Sequence, residues 1–203
     1  MTFAGHLRAI GFKGSGFNYI MDSENFVFTI GIQASQWGGQ CCAEFGIQPK
    51  DIESIGAHKV DFKKLKYYQC ELRTRISRKN GADQWWQYSD NAQKNILIAD
   101  QIFDIITAQI VPIINRFKEN PFVFDQIEVS DLTNIFKYVA DKLEGLQLMT
   151  TDIRFVWALT KIYEKRNFER ARQFARYGLS KLDATSTFIG KADFERVLST
   201  NDA

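Results

Sequence analysis

Residues 28–39 read FTIGIQASQWGG. Phe28, Ile30 and Ile32 point one way and Thr29, Gly31 and Gln33 the other, the two-residue alternation of a strand. Polarity then changes through Gln33, Ser35, Gln36 and Trp37 to the turn pair Gly38-Gly39. The stretch is therefore a strand that ends either in a simple hairpin connector or in a working surface. Its neighbours extend the pattern. Residues 17–34 (FNYIMDSENFVFTIGIQA) form two strands around the turn Asp22-Ser23-Glu24-Asn25, and residues 41–47 (CCAEFGI) form a third. In CELRTRIS, residues 70–77, Cys70, Leu72, Thr74 and Ile76 share one face, opposite Glu71, Arg73, Arg75 and Ser77. A turn at Asn80-Gly81 leads to QWWQY, a fifth strand.

Outside these strands the period changes. Residues 2–10 read as a short helix stopped by Gly11. Residues 48–69 have no clean period, contain Pro49, Gly56 and a Lys-rich patch, and read as a long surface excursion. From Asp90 onward Ile96, Ala99, Phe103, Ile106, Ile110, Ile113 and Phe117 recur at steps of three and four, the stripe of a helix lying on a sheet. Pro112 is positioned to kink or end that helix. Asn120-Pro121 marks a boundary between an α+β sheet domain (1–119) and a helical subdomain (120–203), which either stand as two parts or pack as one unit. In the latter, Ser130 opens a helix to Glu144, Thr151 one to about Arg166, Asn167 one to Leu182, and a last helix covers 191–199. Strands followed by helices give an α+β fold: an antiparallel sheet of about five strands, a long helix on it, and a helical C-terminal part.

Composition sets limits. A chain of 203 residues, 45% hydrophobic and 25% charged, with 17 Phe and three Pro, can bury a sizeable core without staples. The three cysteines, Cys41, Cys42 and Cys70, make a poor disulfide framework, because neighbours on a strand project to opposite faces. The N-terminus lacks a basic segment followed by an apolar run. The most apolar window, ILIADQIFDIITAQIVPII, is broken by Asp100, Gln101, Asp104 and Gln109 and reads as a core helix rather than a membrane span. Together these features point to a reduced, cytoplasmic protein. Charge is blocked: residues 59–79 carry eight basic and two acidic side chains, 120–150 two and five, 151–182 eight and three. Opposite blocks neutralise one another, which disfavours a polyanion surface.

No catalytic constellation stands out. GFKGSG (11–16) follows a helix and precedes a strand, so it reads as a helix stop rather than a phosphate cradle. His6, His58 and the three cysteines lack zinc spacing. Cys70 with His58 is the one conceivable nucleophile pair, and Asp100 with Asp104 the one carboxylate pair; both have plain structural readings as a buried thiol and a wet helix face. No metal or cofactor is expected. The more suggestive set is polar and aromatic: Gln33, Ser35 and Trp37 at a strand end, Arg73 and Arg75 on one strand face, and Trp85 and Trp86 beyond. Arginine beside tryptophan suits a carboxylate, a phosphate or a protein hot spot.

Four motifs in order, LRAIGFKGSGFNYI, FTIGIQASQWGG, FGI and CELRTRIS…DQWWQY, resemble the bacterial domain of unknown function family 4304. The matching positions are Gly11, Phe12, Lys13, Gln33, Ser35, Gly38, Cys70, Arg73, Arg75, Trp85 and Trp86. The likeness covers roughly residues 7–88, with the helix to 118 left open. It departs at Ser77, where the family pattern has Gly, and leaves the C-terminal helices unmatched. The resemblance implies a bacterial, cytoplasmic domain and no particular reaction. The expectation is a non-enzymatic protein-binding module, in its narrower form an immunity-type protein that neutralises a toxin. The alternative is a small-ligand domain or enzyme with an anionic ligand near Gln33, Ser35, Arg73 and Trp86. A weaker one is single-stranded nucleic-acid binding by KVDFKKLKYY, residues 59–68.

Overall fold

A computed structural model describes residues 2–55, 60–79 and 83–200. The sheet is antiparallel throughout and six-stranded: β1 (Lys13–Ser15), β2 (Asn18–Asp22), β3 (Phe26–Ala34), β4 (Gln40–Pro49), β5 (Leu72–Ile76) and β6 (Trp86–Gln87). The order is β1-β2-β3-β4-β5, with β6 also paired to β4, beyond the end of β5. The extra strand comes from GFKGSG, which contributes β1. The expected turn at Asn80-Gly81 lies outside the described residues.

Parity in β3 and β4 fixes the layers. Phe28 pairs with Ile47, Ile30 with Phe45 and Ile32 with Ala43, so their side chains share one face. That face meets the long helix, which runs as one piece over Ala92–Glu119 as α2 (Ala92–Ile105), a π turn (Ile106–Ile110) and α3 (Val111–Glu119). Pro112 does not end it. A proline ring meets the carbonyl four residues back, here that of Ala108, and the π turn widens the helix over that stretch. Ile102, Ile106, Ile110, Ile113, Ile114 and Phe117 are buried from this helix, each contributing about 2 kcal/mol gross. The helix is also long and apolar enough by composition to cross a membrane, with 28% of its apolar window buried. At the N-terminus α1 (Phe3–Ala9), capped by Thr2, contacts α2; His6 stacks on Phe103 and bonds Asp100 at 3.1 Å, which accounts for one of the two aspartates singled out above.

The core continues past Asn120-Pro121. Phe117 packs edge-on to both Phe26 and Phe124, at 5.1 and 5.6 Å between ring centres. Residues 129–142 are not the single helix expected from Ser130. They form a 3₁₀ stretch (Val129–Asn134), a π turn (Ile135–Val139) and one α turn, α4 (Ala140–Lys142). Then come α5 (Asp152–Glu164), α6 (Phe168–Ser180) with Asn167 as its cap, and α7 (Lys191–Ser199). The helical part is also tied to the sheet edge. Met149 N–H donates to the Arg73 carbonyl (2.7 Å), Thr150 Oγ1 to that of Glu71 (2.8 Å), and Arg154 grips the buried Glu71 carboxylate.

The second face of the sheet is where the sequence reading needs correcting. The stretch expected as a surface excursion, 48–69, is in its described parts tied to the sheet. β4 runs on to Pro49, and residues 60–70 cross the outer face as a strap. Val60, Phe62, Leu65 and Cys70 pack there against Val27 and Ile20, the side chains that alternation turned away from the main core. Two glycines make room. A Cβ at Gly31 would fall 2.0 Å from Tyr67 Cδ1, and one at Gly46 would fall 2.7 Å from Cys70 Sγ. Cys70 thus belongs to the outer face rather than beside Leu72, because the strand begins at Leu72 and the preceding residues belong to the strap.

Candidate functional site

Between the strap and β5 lies a polar cleft of about 290 Å³, lined by Gln33, Glu44, Tyr67, Tyr68, Arg73, Arg75 and Met149. Register explains its floor. Glu44 is opposite Arg75 and Gly46 opposite Arg73, so both arginines and the carboxylate stand on the outer face, where Gly31 and Gly46 leave space for Tyr67 and Cys70. Gln33 lies across from Cys42, whose thiol donates to its Oε1 at 3.6 Å. Met149 arrives from the segment hydrogen-bonded to β5.

The two arginines differ in their partners. Arg75 is 13% exposed: Nε donates to Glu44 Oε1 at 3.1 Å, the buried Nη1 ion-pairs with Asp83 Oδ1 at 3.0 Å without hydrogen-bond geometry, and the guanidinium lies 5.2 Å from the Trp85 ring centre. Arg73 has no carboxylate within ion-pair distance among the described residues, and its Nε is buried with no acceptor. Burial pushes the Glu44 carboxyl above its usual range, against the pull of Arg75 and Arg73. Burial likewise raises the Tyr67 phenol, helped by the nearby Glu44. The cleft thus offers donors, Arg73 first among them, around one carboxylate that Arg75 already engages.

Of the residues singled out in the sequence, Gln33, Arg73 and Arg75 come together, with Trp85 beside Arg75. Ser35 and Trp37 do not join them. They form the β3–β4 hairpin, in which Ser35 Oγ accepts from Trp37 N–H at 3.2 Å, Gly38 and Gly39 take positive φ, and Trp37 stands 85% exposed. QASQW is therefore a connector that carries an exposed indole. Trp86 faces the other way, buried in the main core with its Nε1 lacking an acceptor. Glu44 and Met149 complete the cleft without having been singled out, together with Tyr67 and Tyr68, which the sequence offered only within KVDFKKLKYY. For Glu44 the signal was present: within CCAEFGI it alternates with Cys42 onto the face opposite Phe45.

The other chemical candidates resolve structurally. All three thiols are free and buried, and burial lifts Cys42 to about 11 and Cys70 to about 12. His58 lies outside the described residues. Among the described residues no cluster of three or more His, Cys, Asp or Glu side chains could hold a metal.

Compared with known families, residues 3–116 match the model described as Domain of unknown function (DUF4304). The chain belongs to the DUF4304 family. The DUF4304 match takes in the whole sheet and nearly all of the long helix, and with them every cleft residue except Met149. No curated protein and no solved structure matches the chain.

Proposed function

We propose that the domain binds a small ligand bearing a carboxylate or phosphate group in the cleft over β3 to β5. One observation carries this reading: Arg73, on the lining of the cleft, has no carboxylate partner among the described residues and one buried guanidinium nitrogen without an acceptor. Around it stand the Gln33 amide and the hydroxyls of Tyr67 and Tyr68, which can donate. An unpaired buried donor costs about 1–3 kcal/mol, and more when charged, which a ligand's acceptor oxygens would recover. The test is thermal unfolding against a panel of carboxylates and phosphate esters. A true ligand at a hundred times its Kd adds about 2.7 kcal/mol of stability, and Arg73→Gln abolishes that gain while leaving the unliganded protein as stable as before. Equal stabilisation of wild type and variant sinks the proposal.

A second reading, a protein-binding module, is favoured by an apolar surface on the opposite side. A groove of about 400 Å³ is lined by Phe3, Phe17, Ile32, Tyr88, Ile98 and Ile102, among others. Phe17 is 63% exposed, Ile96 and Leu97 are exposed on the same helix, and Trp37 tips the hairpin whose base lines the groove. Contiguous exposed apolar side chains of this kind suit a protein interface. An immunity-type role against a toxin is the narrower form of this reading. Phe17→Ser with Leu97→Ser removes a co-purifying polypeptide if it is right and leaves that polypeptide bound if it is wrong.

A further inference from the structure

On the far side of the strap the outer face carries a second groove, of about 650 Å³, floored by β1 and β2 and walled by residues 62–66. Lys13, from the strand built by GFKGSG, meets Lys63, Lys64 and Lys66 there, although about fifty residues separate them in the chain. The lysines are poorly neutralised. Asp22 is held by Lys50 at 2.6 Å, and Asp61 lies 4.0 Å from Lys64; Lys13, Lys63 and Lys66 have no carboxylate within ion-pair distance among the described residues. Lys66 Nζ sits 5.8 Å from the ring centre of Tyr68, which is 48% exposed and lines the neighbouring cleft. Phe62 adds a second ring to the wall.

We infer that this groove binds the phosphate backbone of a single-stranded nucleic acid, with one unpaired base stacked on Tyr68. Taken by itself, the KKLK run looked balanced by acidic blocks elsewhere in the chain. Folding places Lys13 beside it and leaves those blocks out of the groove lining. The groove's cations are all lysines, point charges that suit successive phosphates, with no arginine fork for the planar carboxylates of an acidic peptide. An exposed ring beside a cation offers the π-face that a free base stacks on and a paired base cannot reach. This inference rests on the lysines, which stand apart from the Arg73 cleft, and on the ring of Tyr68, which borders that cleft.

The test is fluorescence anisotropy of a labelled oligothymidylate titrated with the full chain. Four engaged lysines predict a salt slope of about −2.8, so Kd weakens about 50-fold between roughly 50 and 200 mM salt. Lys63→Gln with Lys64→Gln, both exposed positions, halves the slope and reduces that loss to about sevenfold. Tyr68→Ala weakens binding about tenfold with the slope unchanged. Arg73→Gln leaves oligonucleotide affinity intact, so failure here and failure of the cleft proposal are separable. The inference is overturned by no anisotropy change at low salt, by binding that the lysine variant retains unaltered, by equal competition from polyglutamate at matched charge, or by tighter binding of the duplex.

Discussion

Tyr67 occupies the space that a side chain at Gly31 would need, with Cδ1 2.0 Å from where a Cβ would stand. The contact is made by ring carbons over a central strand, so neither partner can step aside cheaply. Gly31→Ala is expected to cost about 1–3 kcal/mol, the range for overpacking a filled site. Adding Tyr67→Ala recovers most of that loss, because the two changes act on one contact and cannot add. Urea unfolding of the two single variants and the double variant measures the coupling. Additive losses would mean that the strap does not press on β3.

That contact also explains what could and could not be read from the sequence. β3 and β4 were legible because one face is buried against a helix and the alternation of Phe28, Ile30, Phe45 and Ile47 advertises it. The strap was not, because Val60, Phe62, Leu65 and Cys70 follow no period and pack on Val27 and Ile20, side chains that alternation assigns to solvent. The same gap hid half of the cleft. Arg73 and Arg75 were placed by parity alone, whereas Tyr67 and Tyr68 come with the strap. Met149 comes from a segment whose hydrogen bond to β5 has no local signature.

Glu71 is fully buried, and its carboxylate accepts from Arg154 Nε and Nη2 at 2.8 and 3.2 Å and from Ile55 N–H at 3.0 Å. This pair fastens the helical half to the sheet edge. Arg154→Met leaves a buried carboxylate without its cation, and such losses run to about 3–5 kcal/mol. Glu71→Gln with Arg154→Met removes the charge as well and is expected to be the less damaged protein. Thermal unfolding of the single and double variants checks the order. A single variant as stable as wild type would show that the clamp contributes nothing.

The thiols are expected to be silent in the folded protein. Cys42 is pushed up to about 11 and Cys70 to about 12 by burial, and burial also raises Cys41. At about pH 8 the reactive thiolate is scarce; Cys42 and Cys70 are fully buried, and Cys41, 9% exposed, borders the apolar groove and is the first of the three open to reagent. A colourimetric thiol reagent should therefore label the native protein slowly and all three positions rapidly in denaturant. Fast labelling of one thiol in the native state would contradict the buried geometry and return that cysteine to the list of candidate nucleophiles.

Acid sensitivity should be carried in part by Glu164. Arg196 donates two hydrogen bonds to its carboxylate, at 2.5 and 2.9 Å, and Lys161 stands 3.0 Å away, holding its pKa at about 2, below the ordinary 4.5. A depressed carboxylate contributes stability that is complete above its unfolded value and disappears as pH falls from there through the folded one. The wild type should therefore lose stability from about pH 4.5 towards pH 2. With Arg196 about half exposed, the Glu164 share is on the order of 1–2 kcal/mol. Glu164→Gln flattens that limb. Glu44 has the opposite sign: burial raises it, so it favours the fold most at low pH, and its contribution declines as pH rises through the raised value. Stability of Glu44→Gln relative to wild type should consequently climb with pH, while that of Glu164→Gln should fall. Chemical denaturation across pH 2 to 8 reads both trends, and parallel curves for the two variants would refute the assignment of either carboxylate.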